Sequence, residues 1–181
     1  MDAFAGLRRA VFIDRDGVIN RTFVKENGKA YPPPSLAEFE FLPGVMEAVQ
    51  ALKRGGYVLV VATNQPDVGR GIQSLAVVEA MHAKIFRELG VDAIQACYHT
   101  REQVCNCRKP LPGMLFDAAQ KLSIDLARSF MVGDRWSDVE AGRAAGCKTF
   151  MIGTGYVDEQ TAEPDWKVAS LLEASAIILR G

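Results

Sequence analysis

The sequence is poor in cysteine, histidine and aromatic residues. It contains four cysteines and two histidines among 181 residues, and aromatic side chains make up 8%. Four cysteines are too few for a disulfide-dense scaffold, and a chain of this length buries a sizeable core without disulfides. We therefore expect the cysteines to be thiols or metal ligands in a reducing, cytoplasmic compartment.

Long apolar runs and an excess of charge of one sign are also missing. No apolar run approaches the roughly 20 residues that cross a bilayer, and Met1–Arg9 lacks the apolar segment of a secretory signal. Lys and Arg number 21 and Asp and Glu number 22, which gives a formal net charge of −1. These features argue against a membrane or nucleic-acid partner. We expect a monomer with one domain that covers residues 1–181.

Short apolar runs alternate with longer amphipathic segments, a pattern that is typical of βαβ units around a parallel sheet. The predicted strands are continuously apolar, as in strands covered on both faces. They are Ala10–Ile13, Tyr57–Ala62, Ile94–Tyr98, Phe130–Val132 and Lys148–Ile152. The predicted helices are Gly44–Arg54, a helix capped by Ser74 that ends at Gly90, Gly113–Leu122, Trp136–Ala145 and Ala169–Leu179. Two predicted loops, Asn20–Leu42 and Thr100–Pro112, interrupt this alternation.

Two aspartates, Asp14 and Asp16, come directly after the first predicted strand and are followed by Gly17. Loops at the carboxyl ends of parallel strands form the ligand crevice of open α/β sheets. One carboxylate there can bind Mg²⁺ and attack phosphorus, while the other exchanges a proton with the leaving oxygen and with water. A polar turn in which an aspartate caps the backbone is the structural alternative.

Three later segments favour the catalytic interpretation. The second strand ends in Thr63–Gln65, which offers a hydroxyl and two amides, and a downstream loop carries the cations Arg108 and Lys109. A later strand ends in Gly133–Asp138, which supplies further carboxylates. Phosphoryl transfer needs this set, because it uses a nucleophile, neutralisation of phosphate charge and a metal held by hard oxygens.

In this order, the segments resemble the haloacid dehalogenase superfamily of phosphatases, over nearly the whole chain. The resemblance is strongest to the small, capless branch of D,D-heptose 1,7-bisphosphate phosphatases and histidinol phosphatases. The matching segments are Phe41–Val45, Thr63–Gln65, Gly69–Gly71, Cys105–Pro110 and Pro112–Leu115. The resemblance implies a three-layer, Rossmann-like α/β fold with a mostly parallel central sheet, a zinc-binding loop and no large cap domain.

The resemblance also implies roles for individual residues. Asp14 is the expected nucleophile that becomes an aspartyl-phosphate, and Asp16 is the expected general acid/base. Catalytic Mg²⁺ is expected on Asp14, on the backbone carbonyl of Asp16 and on Asp134. The residues expected to hold the transferring phosphoryl group and balance its charge are Thr63, Asn64 and Lys109.

Substrate selection is expected to come from loops. Arg70 and Arg108 are candidates to hold a distal phosphate in a bidentate fork, although each is also compatible with a solvated position. Gln65 is a further expected substrate contact, and Asp138 either orients Lys109 or begins the following helix. The implied reaction removes the C7 phosphate of D-glycero-D-manno-heptose 1,7-bisphosphate, for nucleotide-activated heptose of lipopolysaccharide or another surface glycan. The alternatives are histidinol-phosphate hydrolysis and a zinc-stabilised sugar-phosphate-binding module without turnover.

Most of the cysteine and histidine of the chain lies in one short segment. Cys97-x-His99 and Cys105-x-Cys107 supply four ligands that suit tetrahedral zinc, and a site without an open position is structural. The alternative is a buried strand-end thiol, a surface histidine and two unrelated loop thiols. The superfamily branch carries a Cys-x-His…Cys-x-Cys zinc loop at this place, so the resemblance favours zinc. We expect Cys147 and His82 to be ordinary packing or surface residues.

Overall fold

The computed structural model of the protein describes residues 6–26, 28–153 and 161–181. Its strands are β1 (Ala10–Ile13), β2 (Phe23–Val24), β3 (Ala30–Tyr31), β4 (Val58–Asn64), β5 (Ala93–Cys97), β6 (Phe130–Gly133), β7 (Lys148–Ile152) and β8 (Trp166–Val168). Six of them form one sheet in the order β5-β4-β1-β6-β7-β8, with every neighbouring pair parallel, while β2 and β3 form a separate antiparallel hairpin. The predicted α/β fold with a mostly parallel sheet is confirmed.

Helices cover both faces of this sheet. They are α1 (Val45–Arg54), α2 (Pro66–Gly69), α3 (Leu75–Leu89), α4 (Gly113–Leu122), α5 (Trp136–Ala144) and α6 (Leu171–Ile178). Along β1, Val11 and Ile13 pack into one core with α1, α3 and α6, whereas Ala10 and Phe12 pack into a second core with α4. Helix α5 lies against β6 and β7. All four β1 side chains are fully buried, which explains why this strand is continuously apolar.

Several elements differ from the sequence prediction. Strand β8 and helix α2 were not predicted, because elements of three and four residues are too short to show a hydrophobic period. Ser74 occupies the N-cap position of α3 without a capping hydrogen bond from its side chain, while Gly90 ends the helix at φ 64° as predicted. The predicted loop Asn20–Leu42 contains the β2–β3 hairpin and a 3₁₀ turn at Leu36–Glu38.

The three central strands, β4, β1 and β6, bring their carboxyl ends to the same edge of the sheet. Among the described residues, the segment between β1 and α1 contains only the small hairpin and the 3₁₀ turn, and the segment between β4 and β5 contains only α2 and α3, so neither holds a large cap domain. Within the described ranges, no helix combines the length and apolar character needed to cross a membrane.

Candidate active site

Three carboxylates and one lysine form a buried cluster at the carboxyl ends of β1 and β6. Asp14 follows β1, Asp134 follows β6, and Asp138 lies in the first turn of α5; each offers an oxygen within 4.8 Å of the other two. The Nζ atom of Lys109 lies 2.9 Å from Asp14 Oδ1 and 2.5 Å from Asp138 Oδ1. It also donates to the backbone carbonyl of Ala62 at 2.6 Å. The adjacent parallel strands therefore bring together residues that lie far apart in the sequence.

The cluster contains three acidic groups and one lysine, and burial together with this excess of acidic groups shifts the pKa values of its members. Burial raises the pKa of Asp14 to about 6, with Lys109 opposing this shift and Asp138 adding to it. Burial, followed by repulsion from Asp14 and Asp138, raises the pKa of Asp134 well above its ordinary range. Burial by itself lowers the pKa of Lys109, but Asp138 and Asp14 outweigh it and hold that pKa above its usual value. One lysine therefore does not neutralise the three acids.

Asp134 has the properties of a cation ligand. The residue is buried, and neither carboxylate oxygen has a hydrogen-bond partner among the described residues. A buried carboxylate without a partner is costly, and a bound cation removes this cost. Asp134 and Asp14 supply the hard oxygen ligands that Mg²⁺ prefers, so the residues fit the predicted metal. The backbone carbonyl of Asp16 stays a predicted third ligand.

Asp138 makes the contacts that both of the functions considered for it from the sequence require. Its Oδ1 pairs with Lys109, and its Oδ2 accepts hydrogen bonds from the backbone N–H groups of Asp134 at 3.2 Å and Arg135 at 3.0 Å. These contacts cap the start of α5. Gly133 permits this approach, because a Cβ atom there would lie 2.1 Å from Asp138 Cβ.

Asp16 is held by hydrogen bonds on both carboxylate oxygens. The Arg15 guanidinium donates to it at 2.9–3.2 Å, Asn20 Nδ2 donates at 2.9 Å and Gln65 Nε2 donates at 2.6 Å. Burial raises the pKa of Asp16, but Arg15 and these hydrogen bonds outweigh it, so the pKa lies below its ordinary value. Gly17, at φ 86°, makes the sharp turn that follows. The side chain is therefore an oriented carboxylate.

Thr63 and Asn64 end β4 and Gln65 follows it, and all three form hydrogen bonds with other residues of the site. Gln65 Nε2 donates to Thr63 Oγ1 at 2.9 Å in addition to Asp16. The Asn64 amide donates to the backbone carbonyl of Lys109 at 3.0 Å and accepts from its N–H at 3.1 Å, so it fixes the backbone that carries the ammonium group. The expected phosphoryl contacts of Thr63 and Asn64 and the substrate contact of Gln65 stay predictions.

The four predicted zinc ligands lie together, each with one donor atom within 4.8 Å of the others. Cys107 Sγ lies 3.0 Å from Cys97 Sγ and 3.3 Å from His99 Nδ1, and Cys97 Sγ lies 3.9 Å from Cys105 Sγ. Zn–S bonds of about 2.3 Å in a tetrahedron place sulfur atoms about 3.8 Å apart, so the donor set fits zinc after small adjustments. Burial and the neighbouring sulfurs raise the pKa of Cys107 to about 12, a cost that a bound cation would remove.

Three arginines lie near one another at the zinc loop, residues 97–109: Arg101 and Arg108 belong to this loop, and Arg70 lies close to it. Arg108 Nη1 donates to the carbonyl of His99 at 3.0 Å, and the exposed Arg70 pairs with Asp67 at 3.3 Å. Burial lowers the pKa of Arg108, and the positive charges of Arg101 and Arg70 lower it further against the opposing effect of the Cys97 sulfur. Arg101 was not identified from the sequence; its position inside the zinc loop was the available signal.

Arg15 and His82 were also assigned no role from the sequence. Both are buried, and Arg15 Nη1 lies 3.3 Å from His82 Nε2. The position of Arg15 between Asp14 and Asp16 was a signal, whereas nothing in the helical pattern around His82 indicates this contact. Cys147 is a buried residue of the second core, as expected.

A parallel sheet with a buried Asp–Lys pair and a second acidic strand end is the arrangement that the resemblance to haloacid dehalogenase hydrolases implies. A family model for HAD-hydrolase-like proteins matches residues 106–174. The chain is 38% identical to D-glycero-β-D-manno-heptose-1,7-bisphosphate 7-phosphatase of Salmonella typhi, over 93% of this chain and 94% of that protein. It is 42% identical to the protein of the same name from Photorhabdus laumondii, over 81% of each chain.

A solved structure gives the same result. D,D-heptose 1,7-bisphosphate phosphatase from B. bronchiseptica, complexed with magnesium and phosphate, matches with a TM-score of 0.80 and 31% sequence identity. The match covers 95% of this chain and 98% of that one. The chain therefore belongs to the haloacid dehalogenase superfamily, in the family of the heptose-bisphosphate phosphatases. The predicted superfamily and the prediction that the chain is a phosphatase are confirmed.

Proposed function

We propose that this protein is a Mg²⁺-dependent phosphomonoesterase that removes the C7 phosphate of D-glycero-D-manno-heptose 1,7-bisphosphate through an aspartyl-phosphate. The observation that carries the mechanism is the buried Asp14–Lys109 pair, 2.9 Å apart, beside Asp134, whose two oxygens have no hydrogen-bond partner in the described part of the chain. The names of the relatives support the substrate and its β anomer. The bound magnesium and phosphate of the B. bronchiseptica structure support the metal.

In the first step, an Asp14 oxygen attacks phosphorus and the bond between phosphorus and the sugar oxygen breaks. Asp16 gives its proton to the departing sugar oxygen, so the sugar leaves as an alcohol. Lys109 balances part of the charge that accumulates on the phosphoryl oxygens. Mg²⁺ held by Asp14 and Asp134 would supply the remaining positive charge and align the phosphate with the nucleophile. An incoming phosphate raises the pKa of a neighbouring carboxyl, which favours the protonated form of Asp16 that this step needs.

In the second step, Asp16 acts as a base. Its carboxylate takes a proton from water, the water oxygen attacks phosphorus, and the bond between phosphorus and Asp14 breaks. Inorganic phosphate leaves and Asp14 is regenerated. Asp16 is ionised before this step because it gave its proton to the sugar oxygen in the first step, and its hydrogen bonds to Arg15, Asn20 and Gln65 orient its carboxylate for the attacking water.

The distal phosphate of the substrate distinguishes a bisphosphate from a simple phosphate ester. Arg70, Arg101 and Arg108 concentrate positive charge beside the loop that carries Lys109, and guanidinium groups bind phosphate oxygens in pairs. We propose that they anchor the C1 phosphate while the C7 phosphate reacts. The product, a heptose 1-phosphate, would serve a cytoplasmic route to nucleotide-activated heptose.

Phosphate release tests the mechanism. We expect the wild type to release phosphate from the heptose bisphosphate with Mg²⁺ and to lose this activity with EDTA. Asp14→Asn should be inactive, whereas Asp117→Asn, on the exposed face of α4, should retain wild-type activity. A wild-type protein that releases no phosphate would contradict the proposal.

A comparison of substrates tests specificity. We expect kcat/KM to be highest for the β-heptose bisphosphate, lower for the α anomer and lowest for histidinol phosphate. Arg108→Ala should raise KM for the bisphosphate about tenfold and leave KM for a monophosphate unchanged, because only the bisphosphate has a distal phosphate. A preference for histidinol phosphate would overturn the proposed substrate and leave the mechanism intact.

A further inference from the structure

A row of polar side chains connects the zinc loop to the carboxylate of Asp16. The Tyr98 hydroxyl donates to Glu79 Oε1, and that oxygen lies 3.7 Å from His82 Nδ1. His82 Nε2 lies 3.3 Å from Arg15 Nη1, and the other edge of the same guanidinium donates to Asp16. Each member contacts the next: Arg15 and Asp16 follow β1, Glu79 and His82 lie on α3, and Tyr98 follows β5.

His82 is a neutral imidazole in this row. Burial and the neighbouring Arg15 lower its pKa to about 4, against the opposing effects of Glu79 and Asp16. A neutral imidazole has one nitrogen that accepts and one that donates. Arg15 can only donate, so Nε2 is the acceptor for its Nη1–H and Nδ1 carries the proton that faces Glu79. The neighbours of His82 therefore select a single tautomer.

The contact with His82 favours one orientation of the Arg15 guanidinium relative to the Asp16 carboxylate. The Arg15 side chain is fully buried, and its Nε and Nη2 atoms donate to both oxygens of Asp16. A buried N–H without an acceptor is costly, so the lone pair of His82 favours one plane of the guanidinium. That plane fixes the direction in which the two donors hold the Asp16 carboxylate.

We propose that His82 is a positioning residue of the phosphatase: through Arg15 it sets the orientation of Asp16, and Glu79 and Tyr98 extend this control to the zinc loop. The inference rests on the proposed general acid/base function of Asp16. Tyr98 lies between Cys97 and His99, so zinc that orders this loop would also order the outer end of the row. The zinc site and Asp16 would then be connected through a continuous series of contacting side chains.

The row can be reached from solvent at its outer end. Glu79, His82 and Tyr98 line a groove of about 480 Å³ between α3 and β5. Removal of the imidazole would therefore leave a space that is continuous with a solvent-filled groove. Free imidazole added to a His82→Ala variant would have a route to the vacated position.

A leaving-group comparison tests the inference. A sugar alkoxide needs a proton when it leaves, whereas p-nitrophenolate leaves as a stable anion, so only the first substrate depends on an oriented acid. For His82→Leu, we expect kcat on the heptose bisphosphate to fall about 10–100-fold, with KM within about twofold of the wild type. The first turnover of p-nitrophenyl phosphate should change by less than about threefold, and a p-nitrophenol burst should appear because the second step still needs Asp16.

Three further variants separate positioning from folding. His82→Gln retains an acceptor for Arg15 and should recover most of the activity, and imidazole should raise the activity of His82→Ala. Tyr98→Phe keeps the zinc ligands and should give a smaller loss of the same kind. Arg87→Gln, on the exposed side of α3, should behave as wild type. Equal losses in the first turnover of both substrates in a folded His82→Leu variant, or no loss on either, would overturn the inference. A wild type inactive on both substrates would instead contradict the proposed function.

Discussion

The ammonium nitrogen of Lys109 lies 2.9 Å from Oδ1 of Asp14, and these two residues are 95 positions apart in the sequence. The position of this nitrogen is fixed from several directions. Asn64 holds the Lys109 backbone, while Asp138 and the Ala62 carbonyl bind its ammonium group. The cation is therefore in place beside Asp14, the proposed nucleophile, before any substrate binds, and such preorganisation would stabilise phosphoryl transfer.

Removal of one anchor of Lys109 tests this preorganisation. In Asp138→Asn, the ammonium group loses a charged partner and the start of α5 loses a carboxylate cap. We expect kcat/KM to fall about 100-fold and the free energy of unfolding to fall by about 3 kcal/mol. Steady-state kinetics and urea denaturation measure the two effects. Asp117→Asn is the matched control, and an Asp138→Asn variant with unchanged kinetics would show that Asp138 does not orient Lys109.

The Asp134→Asn substitution should maintain or raise the stability of the metal-free protein and weaken Mg²⁺ binding. Asp134→Asn removes a buried carboxylate that Asp14 and Asp138 repel, so in EDTA the variant should melt at or above the wild-type temperature. Mg²⁺ should raise the melting temperature of the wild type and not that of the variant. Thermal denaturation with and without Mg²⁺ makes this comparison. An equal Mg²⁺ shift in both proteins would contradict the assignment of Asp134 as a ligand.

The Cys/His cluster predicts a tightly held zinc ion. Metal analysis of protein purified with reduced thiols should find about one Zn²⁺ per chain. Cys105→Ser should lose this ion, lower the melting temperature and raise KM, because the loop also carries Arg108. Cys147→Ala is the matched control, since this thiol is buried in the second core and should leave the zinc content unchanged. Wild-type protein without zinc would contradict a structural zinc site.

The lowered pKa of His82 predicts a loss of stability in mild acid. The unfolded chain binds a proton near pH 6.5, while the folded protein holds the imidazole neutral down to about pH 4. The contribution of the neutral His82 to the free energy of unfolding is therefore fully present above pH 6.5. It decreases as the pH falls towards 4, by about 3 kcal/mol in total. Urea denaturation at pH 7.5 and pH 5 should show a steeper loss for the wild type than for His82→Gln. Equal pH dependence in the two proteins would contradict the shift.

Most of the element pattern and the chemistry at the strand ends could be predicted from the amino-acid sequence. Ala10–Ile13, Lys148–Ile152 and Gly113–Leu122 were predicted with the bounds that the structure shows. These elements are fully or largely apolar on the face that they bury, so their period is visible in the sequence. The resemblance to a superfamily then placed Asp14 and Lys109 in a common site, and the structure brings them within 2.9 Å.

The neighbours of each functional group depend on the three-dimensional packing and could not be predicted from the sequence. The order β4-β1-β6 places Lys109 between Asp14 and Asp138, and the packing of α3 against the sheet brings His82 to Arg15, 67 positions away. Such contacts depend on strand order and helix orientation, which the hydrophobic period of a single segment does not encode. Asp16 shows the consequence: the sequence indicated an acid/base residue, whereas its direction and lowered pKa come from Arg15, Asn20 and Gln65.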